Sequence, residues 1–330
     1  MTPRSAHALI LLRRRSRLLA GAATIAWLLL LAGCGGQESS EPESLLAFNT
    51  ASFRDAARIT GEAERQVLLT LRPGLFERDL KAVVDDVFGR AGVTLLAFPH
   101  LIGSGPNTLE PHYYGEARQI RQGDLVVVDI GATSGRHCAD LTRTYPASGH
   151  FTRRQRQVYQ LVLAAQQGAV ERARLGGESL QSLDTWVREL FHDSPLRSPD
   201  ADGQEQTMDT FFIHGLGHYI GRTVHGEDTG WETQQPFEPG QVLAIEPGLY
   251  LPNEGFGIRI EDDYLVTEGG LECLSADVPR EVAEIERLMA EPRAPVPSML
   301  ALPPIPASPG AAAQTHMDFD RLGAPEPRQP

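Results

Sequence analysis

Twice in this chain a short aliphatic run ends in an acid. Gln122-Gly123-Asp124 turns into Leu125-Val126-Val127-Val128, closed by Asp129, and Glu238-Pro239-Gly240-Gln241 turns into Val242-Leu243-Ala244-Ile245, closed by Glu246. In both, one glycine precedes the acid by six residues and another follows it by two. Aliphatic runs bounded by turn residues predict buried strands. A carboxylate at the end of a buried strand is costly unless something pairs with it. The first run turns through Gly131 to Gly135 and returns as His137-Cys138-Ala139-Asp140; the second is followed by Gly257-Ile258-Arg259-Ile260-Glu261-Asp262-Asp263. Asp140 follows Asp129 by eleven residues and Glu261 follows Glu246 by fifteen. A repeated hairpin then brings two carboxylates from each half near a pseudo-two-fold axis. Close carboxylates repel unless a proton or cation lies between them, and a divalent metal is the economical answer. The alternative is that Asp140 pairs with Arg143 while Asp129 merely caps its strand.

Between the two patterns lies His214-Gly215-Leu216-Gly217-His218-Tyr219-Ile220-Gly221-Arg222-Thr223-Val224-His225, with three imidazoles in twelve residues. Histidines four apart on a helix can share a zinc ion. Against a helix, each glycine costs roughly 1 kcal/mol relative to alanine, and no Glu follows His214. The stretch is therefore expected to be extended or irregular. Four extended residues span about 13 Å, so at most one of His214 and His218 ligates a given ion, and the others face a substrate. Three unrelated polar histidines are the competing reading. In Arg259-Ile260-Glu261, strand alternation puts Arg259 and Glu261 on one face.

The 330 residues are 41% hydrophobic and 22% charged, as in globular proteins. The formal net charge is −13, and the first 33 residues carry five arginines and no acid, so the rest carries −13 − 5 = −18. Such acidity argues against a nucleic-acid partner, whose backbone needs Lys and Arg. Arg13 to Arg17 form a basic region, Leu18 to Leu31 an apolar one, and Leu31-Ala32-Gly33-Cys34 resembles the lipobox of bacterial lipoproteins. The expected organisation is a signal peptide at 1–33, a lipidated Cys34 with a tether at 34–46, a globular domain at 47–290, and a disordered Pro/Ala-rich tail at 291–330. That places the domain at a bacterial membrane, on the periplasmic side; an uncleaved N-terminal helix is the alternative. Helices are expected at Phe48–Leu71, Glu77–Arg90, Thr152–Arg174 with Thr152 as N-cap, Leu180–His192 and Val278–Ala290. Val93–Phe98 and Phe211–Ile213 read as strands, Gly103–Thr108 as a loop, and Cys138 and Cys273 as free thiols.

Six stretches then carry a family resemblance: Ile102-Gly103-Ser104-Gly105, Val127-Val128-Asp129-Ile130-Gly131, Asp140-Leu141-Thr142-Arg143-Thr144, His214-Gly215-Leu216-Gly217-His218, Ala244-Ile245-Glu246-Pro247-Gly248-Leu249-Tyr250 and Gly257 through Asp263. Together they resemble the pita-bread metallopeptidases, in the aminopeptidase P and prolidase branch. Methionine aminopeptidases share the ligands, but the context of Arg259 to Asp263 looks like the proline-handling branch. The resemblance implies an α+β fold, with two pseudo-symmetric halves around a curved antiparallel sheet. It implies two divalent ions held by Asp129, Asp140, His218, Glu246 and Glu261, with Asp129 chelating one ion, His218 on the other, and Asp140 and Glu261 bridging. An oxygen-rich set suits manganese, with cobalt, zinc and iron as alternatives. The implied reaction is metal-assisted hydrolysis near the free N-terminus of a peptide, of the Xaa-Pro type. Glu246 would carry a proton from the attacking water to the leaving amine. His225 or His112 would stabilise the oxyanion, His214 would line the leaving-group side, and Arg259 would orient Glu261. Competing expectations are a prolidase-like dipeptidase and a non-catalytic binding lipoprotein. The latter should lack a ligand, and none of the five is missing. Two features depart from the family: only a short stretch separates Cys34 from the first domain helix, where relatives carry a large N-terminal domain, and Arg222 and Gly226 stand where an apolar residue and an acid are usual.

Overall fold

The computed structural model describes residues 41–174, 176–200, 202–226 and 232–292, with side chains from residue 50 onward. The stretches expected to be a signal peptide and a disordered tail lie outside the described residues, apart from the tail's first two residues, as does Cys34. Helix α1 (Glu41–Thr70) begins inside the stretch expected to be a tether. Its buried residues, Phe53, Ala56, Ile59, Ala63, Val67 and Leu68 among them, recur at the three-to-four spacing of one helix face. Helix α2 (Glu77–Arg90) starts where the Asp79 carboxylate accepts the Phe76 N–H at 2.8 Å. No described helix is long and apolar enough to cross a membrane.

The first strand, β1 (Leu101–Ser104), takes the first two residues of the expected loop, the rest of which is a 3-10 turn at Gly105–Leu109, and Val93–Phe98 is not a strand. Ile102 is fully buried, whereas Leu95 is 69% exposed and its stretch makes one bridge, Leu96 to Ala132. The apolar run has no sheet edge to join. Then come β2 (Leu125–Ile130), β3 (Thr133–Ser134), β4 (His137–Cys138) and β5 (Leu141–Pro146). Helix α3 (Arg153–Ala173) opens on Thr152, which exchanges capping hydrogen bonds with Gln155. Helix α4 (Leu180–Asp193) and the small hairpin of β6 (Arg197–Pro199) and β7 (Glu205–Thr207) follow. Phe211 and Phe212 are both buried, but the backbone at Met208–Phe211 closes a 3-10 turn instead of a strand. The strand of the histidine stretch is β8 (Gly217–Tyr219). The second half continues with β9 (Val242–Ile245), β10 (Gly248–Leu251), β11 (Phe256–Arg259), β12 (Asp262–Thr267), β13 (Gly270–Cys273) and helix α5 (Val282–Met289).

Two antiparallel sheets result, in the orders β1-β2-β5 and β13-β12-β9-β8, with β10 paired to β11 beside them. They meet where the Glu261 N–H donates to the Thr142 carbonyl at 3.0 Å. Alternation then decides where the acids go. Val126, Val128 and Ile130 of β2, Leu243 and Ile245 of β9, Tyr145 of β5, and Tyr264 and Val266 of β12 join the main core with the helices. Asp129, Glu246, Asp140 and Glu261 sit at the intervening positions, so all four fall on the other face. In the second hairpin Ile245 pairs with Asp262, so one step further sets Glu246 opposite Glu261. In the first, Asp129 pairs with Thr142, and Asp140 is its diagonal neighbour on the same face.

Gly217 shows how tightly the histidine strand is laid on the sheet. A Cβ there would stand 2.0 Å from the Ala244 carbonyl oxygen. Gly217→Ala is expected to cost about 1–3 kcal/mol as β8 is pushed off β9. Thermal unfolding checks this, together with metal content, which should fall because His218 moves with the strand.

Candidate metal centre

All nine residues nominated from the sequence line one cavity of about 570 Å³: His112, Asp129, Asp140, His214, His218, His225, Glu246, Arg259 and Glu261. The chain delivers them from both sheets and from the segment after β1. His218 is central. Its Nε2 lies 3.5 Å from Asp140 Oδ2, 3.8 Å from Glu261 Oε1 and 3.9 Å from Glu246 Oε1. Ligand atoms of Asp140, His218 and Glu261 all fall within 4.8 Å of one another. Most of these separations are too long for hydrogen bonds. Asp129 and Glu246 stand outside that trio, on the Arg259 side of the cavity.

The protonation pattern is that of a site built around cations. Asp129 Oδ1, Asp140 Oδ1 and Glu261 Oε1 are buried without a hydrogen-bond partner. Burial and the neighbouring acids push the Asp140 and Glu261 carboxyls well above the usual carboxylate range. Burial, opposed by Arg259, pushes Glu246 up to about 7. Burial also lowers His218 to about 4, which keeps the ring neutral at pH 7. Its Nδ1–H is directed at the Tyr219 carbonyl at 3.3 Å, leaving the Nε2 lone pair toward the acids. Orphaned carboxylate oxygens around a neutral imidazole fit divalent metal ions, and the donor set is of the oxygen-rich kind that manganese accepts.

Arg259 organises the rest. Its Nη2 donates to Asp129 Oδ2 at 2.5 Å, its Nη1 to the Tyr250 hydroxyl at 2.8 Å, and its Nε to Thr142 Oγ1 at 3.2 Å. Thr142 Oγ1 in turn donates to Glu261 Oε2 at 2.6 Å. Arg259 therefore touches Asp129 directly and reaches Glu261 through Thr142, where the sequence suggested Glu261 alone. His214 holds hydrogen bonds with both nitrogens, to the Gly215 carbonyl at 2.8 Å and to the Tyr250 hydroxyl at 2.9 Å. With Nδ1–H donating, Nε2 accepts from Tyr250, and Arg259, Tyr250 and His214 form one polarised chain. Burial lowers His214 to about 4, consistent with the neutral ring this needs. His225 stacks its ring edge against His218, with centroids 4.8 Å apart, and both His225 and His112 are exposed to the cavity. Arg222 is absent from the cavity wall. Cys138 and Cys273 are free thiols, as expected.

Tyr250 and Thr142 were missed as site residues, although both lie inside stretches that carried the resemblance. Their signal was alternation: Thr142 is two residues after Asp140, and Tyr250 is four after Glu246.

Comparison with known proteins identifies the family. The model of metallopeptidase family M24 matches residues 51–268. The chain is 34% identical over 251 residues to the Xaa-Pro aminopeptidase of Haemophilus influenzae, covering 72% of this chain and 58% of that protein. It is 33% identical over 225 residues to the Xaa-Pro dipeptidase of Pyrococcus furiosus, covering 67% and 59%. Among solved structures, a variant of Escherichia coli aminopeptidase P in complex with substrate superposes with a TM-score of 0.67 at 33% identity, covering 73% of this chain and 58% of that one. The chain thus spans under two thirds of the length of these relatives. The fold is the pita-bread fold, and the chain belongs to metallopeptidase family M24.

Proposed function

We propose that the chain is a dinuclear-metal aminopeptidase of the Xaa-Pro type, anchored at the periplasmic side of a bacterial membrane through a lipidated Cys34. One observation carries the catalytic part: Asp140, His218 and Glu261 converge within 4.8 Å in the cavity that also holds Asp129 and Glu246, with buried carboxylate oxygens left unpartnered. Asp129, Asp140, His218, Glu246 and Glu261 would hold the two ions. Such ions supply Lewis acidity and an acidified water at neutral pH. Glu246 Oε1 would take a proton from the attacking water and return it to the leaving amine. His225 and His112, exposed on the cavity wall, would donate to the oxyanion. Arg259, Tyr250 and His214 would hold the wall and Asp129 in place. The likeness to Xaa-Pro aminopeptidases supports the substrate class, and manganese is the metal the donor set favours.

Digestion of a peptide library by the full chain, with and without manganese, tests the proposal. Release of single N-terminal residues ahead of proline supports it. Hydrolysis confined to dipeptides favours the second reading, a dipeptidase, to which the likeness to Xaa-Pro dipeptidases points. Binding of metal without hydrolysis of any peptide would sink both. The anchor rests on the order of basic region, apolar region and Leu31-Ala32-Gly33-Cys34 in the sequence. Cys34→Ser is expected to release the protein from membranes or block its processing, and unchanged membrane fractionation and mass would refute the lipid anchor.

A further inference from the structure

The cavity wall contains one acid that the metal centre does not use. Glu110 lines the cavity and is exposed. Its segment is held firmly: the Glu110 N–H donates to the Asn107 carbonyl at 3.3 Å, and the Pro111 carbonyl accepts from Arg259 Nη2 at 3.4 Å. The guanidinium that grips Asp129 therefore also fixes the main chain beside Glu110. Nearby cations are engaged elsewhere. Arg259 is committed to Asp129, Arg118 to Asp124 at 2.6 Å, and the Lys81 ammonium lies against the Tyr114 carbonyl at 3.4 Å. Among the described residues no ion pair engages the Glu110 carboxylate.

Tyr114, four residues along the same segment, also lines the cavity and is 63% exposed. A carboxylate and an exposed phenol ring lining one cavity are the two partners a guanidinium uses best, an ion pair and a stacked aromatic face. A lysine ammonium gains less from the ring, a neutral side chain gains neither, and an acid is repelled. Phe98, Leu101 and Ile213 line the same cavity without charge, and their low-dielectric surfaces strengthen the field of Glu110 and of the acids of the metal centre, which all favour a cationic side chain.

We propose that Glu110 and Tyr114 form a subsite that selects peptides carrying an arginine side chain within their first three residues. The proposal rests on the peptide-hydrolase reading above and narrows its substrate class. No ligand of the metal centre takes part, so the selectivity adds to the chemistry without altering it.

The test uses full-length protein and tripeptides with arginine, lysine, glutamine or glutamate placed in turn at each position. Binding is measured by calorimetry on metal-free protein, where nothing turns over, and hydrolysis is measured separately with manganese. At one position arginine should bind about 5-fold tighter than glutamine at low salt, the upper end for a partly exposed ion pair, with lysine between them and glutamate weakest. The ratio should shrink toward one as salt screens the pair. Glu110→Gln should lower the arginine-to-glutamine ratio to the smaller preference that the Tyr114 ring alone supports, and Glu110→Gln combined with Tyr114→Ala should bring it to about one. Tyr114→Ala should reduce the arginine-to-lysine ratio while leaving both above glutamine. No arginine preference at any position, or a preference undiminished in Glu110→Gln, overturns the subsite. Hydrolysis without arginine preference removes the subsite and leaves the peptidase reading intact, whereas an arginine preference that follows Glu110 without hydrolysis sustains the subsite and removes the peptidase.

Discussion

Asp140→Asn and Glu261→Gln are each expected to lower metal content and to cut peptide hydrolysis by more than about 100-fold. The lower bound follows from indirect partners of metal ligands, whose loss already costs about 10–100-fold. These two carboxylates stand nearest His218 after the strands have crossed, and each has a buried oxygen with no protein partner. Replacing one of these carboxyls by an amide removes a group that the metal-free protein can bury only protonated or against its neighbours' repulsion. The variants should therefore fold at least as stably as metal-free wild type while binding cations poorly. His225→Ala should behave differently. Its ring packs against His218 but lies outside the converging trio, so metal should be retained while the rate falls by about 10²–10³, the cost of losing an oxyanion donor. Metal analysis of the purified variants decides the matter. Full occupancy in Asp140→Asn, or loss of metal in His225→Ala, would show that the proposed ligands are wrongly assigned.

The acids of this site were legible because strand alternation has a period of two and leaves little freedom. Once Leu125–Val128 and Val242–Ile245 are buried strands, Asp129 and Glu246 must emerge at their ends, and antiparallel return strands must bring Asp140 and Glu261 alongside. The same rule placed Arg259 and Glu261 on one face. What alternation could not supply was the partner of each polar group. Arg259 contacts Asp129, 130 residues away in sequence, because two sheets meet at Thr142 and Glu261, and no local pattern encodes that junction. The strand expected at Val93–Phe98 failed for a related reason. Its composition suits a strand, but strand formation needs an adjacent edge, and the edge of β2 is taken by Leu101–Ser104. Phe211–Ile213 failed because the chain closes a 3-10 turn at Met208–Phe211, with the Phe212 N–H donating to the Asp209 carbonyl at 3.2 Å. Tyr250 went unnoticed because an aromatic in an apolar strand reads as core; its hydroxyl acquires a role only between Arg259 and His214.

Removing the metal should make the stability of the protein fall as pH rises above about 6.5. In the metal-free cluster burial raises Glu246 to about 7, and burial and mutual repulsion raise Asp140 and Glu261 well above the ordinary carboxylate range. Carboxyls of the unfolded chain titrate near 4 to 4.5. Between those values the native protein holds protons that the unfolded chain has lost, so rising pH favours unfolding. This stabilisation is complete below the unfolded values and, for Glu246, is lost as pH passes about 7. His214 and His218 act in the opposite sense. Their pKa values are depressed to about 4, so their contribution is present above the unfolded value near 6.5 and is lost as pH falls through 4. Below pH 6.5 the two effects oppose each other; above it the carboxylates act alone. Bound cations displace the protons and remove this dependence. Metal at about a hundred times its dissociation constant adds about 2.7 kcal/mol, which for a domain of this size raises Tm by roughly 5–10 °C. The gap between manganese-loaded and chelator-treated protein should therefore widen in thermal scans as pH rises from 6.5 through about 7. A gap that stays constant or narrows across that window would mean that Glu246, Asp140 and Glu261 do not share their charge with metal.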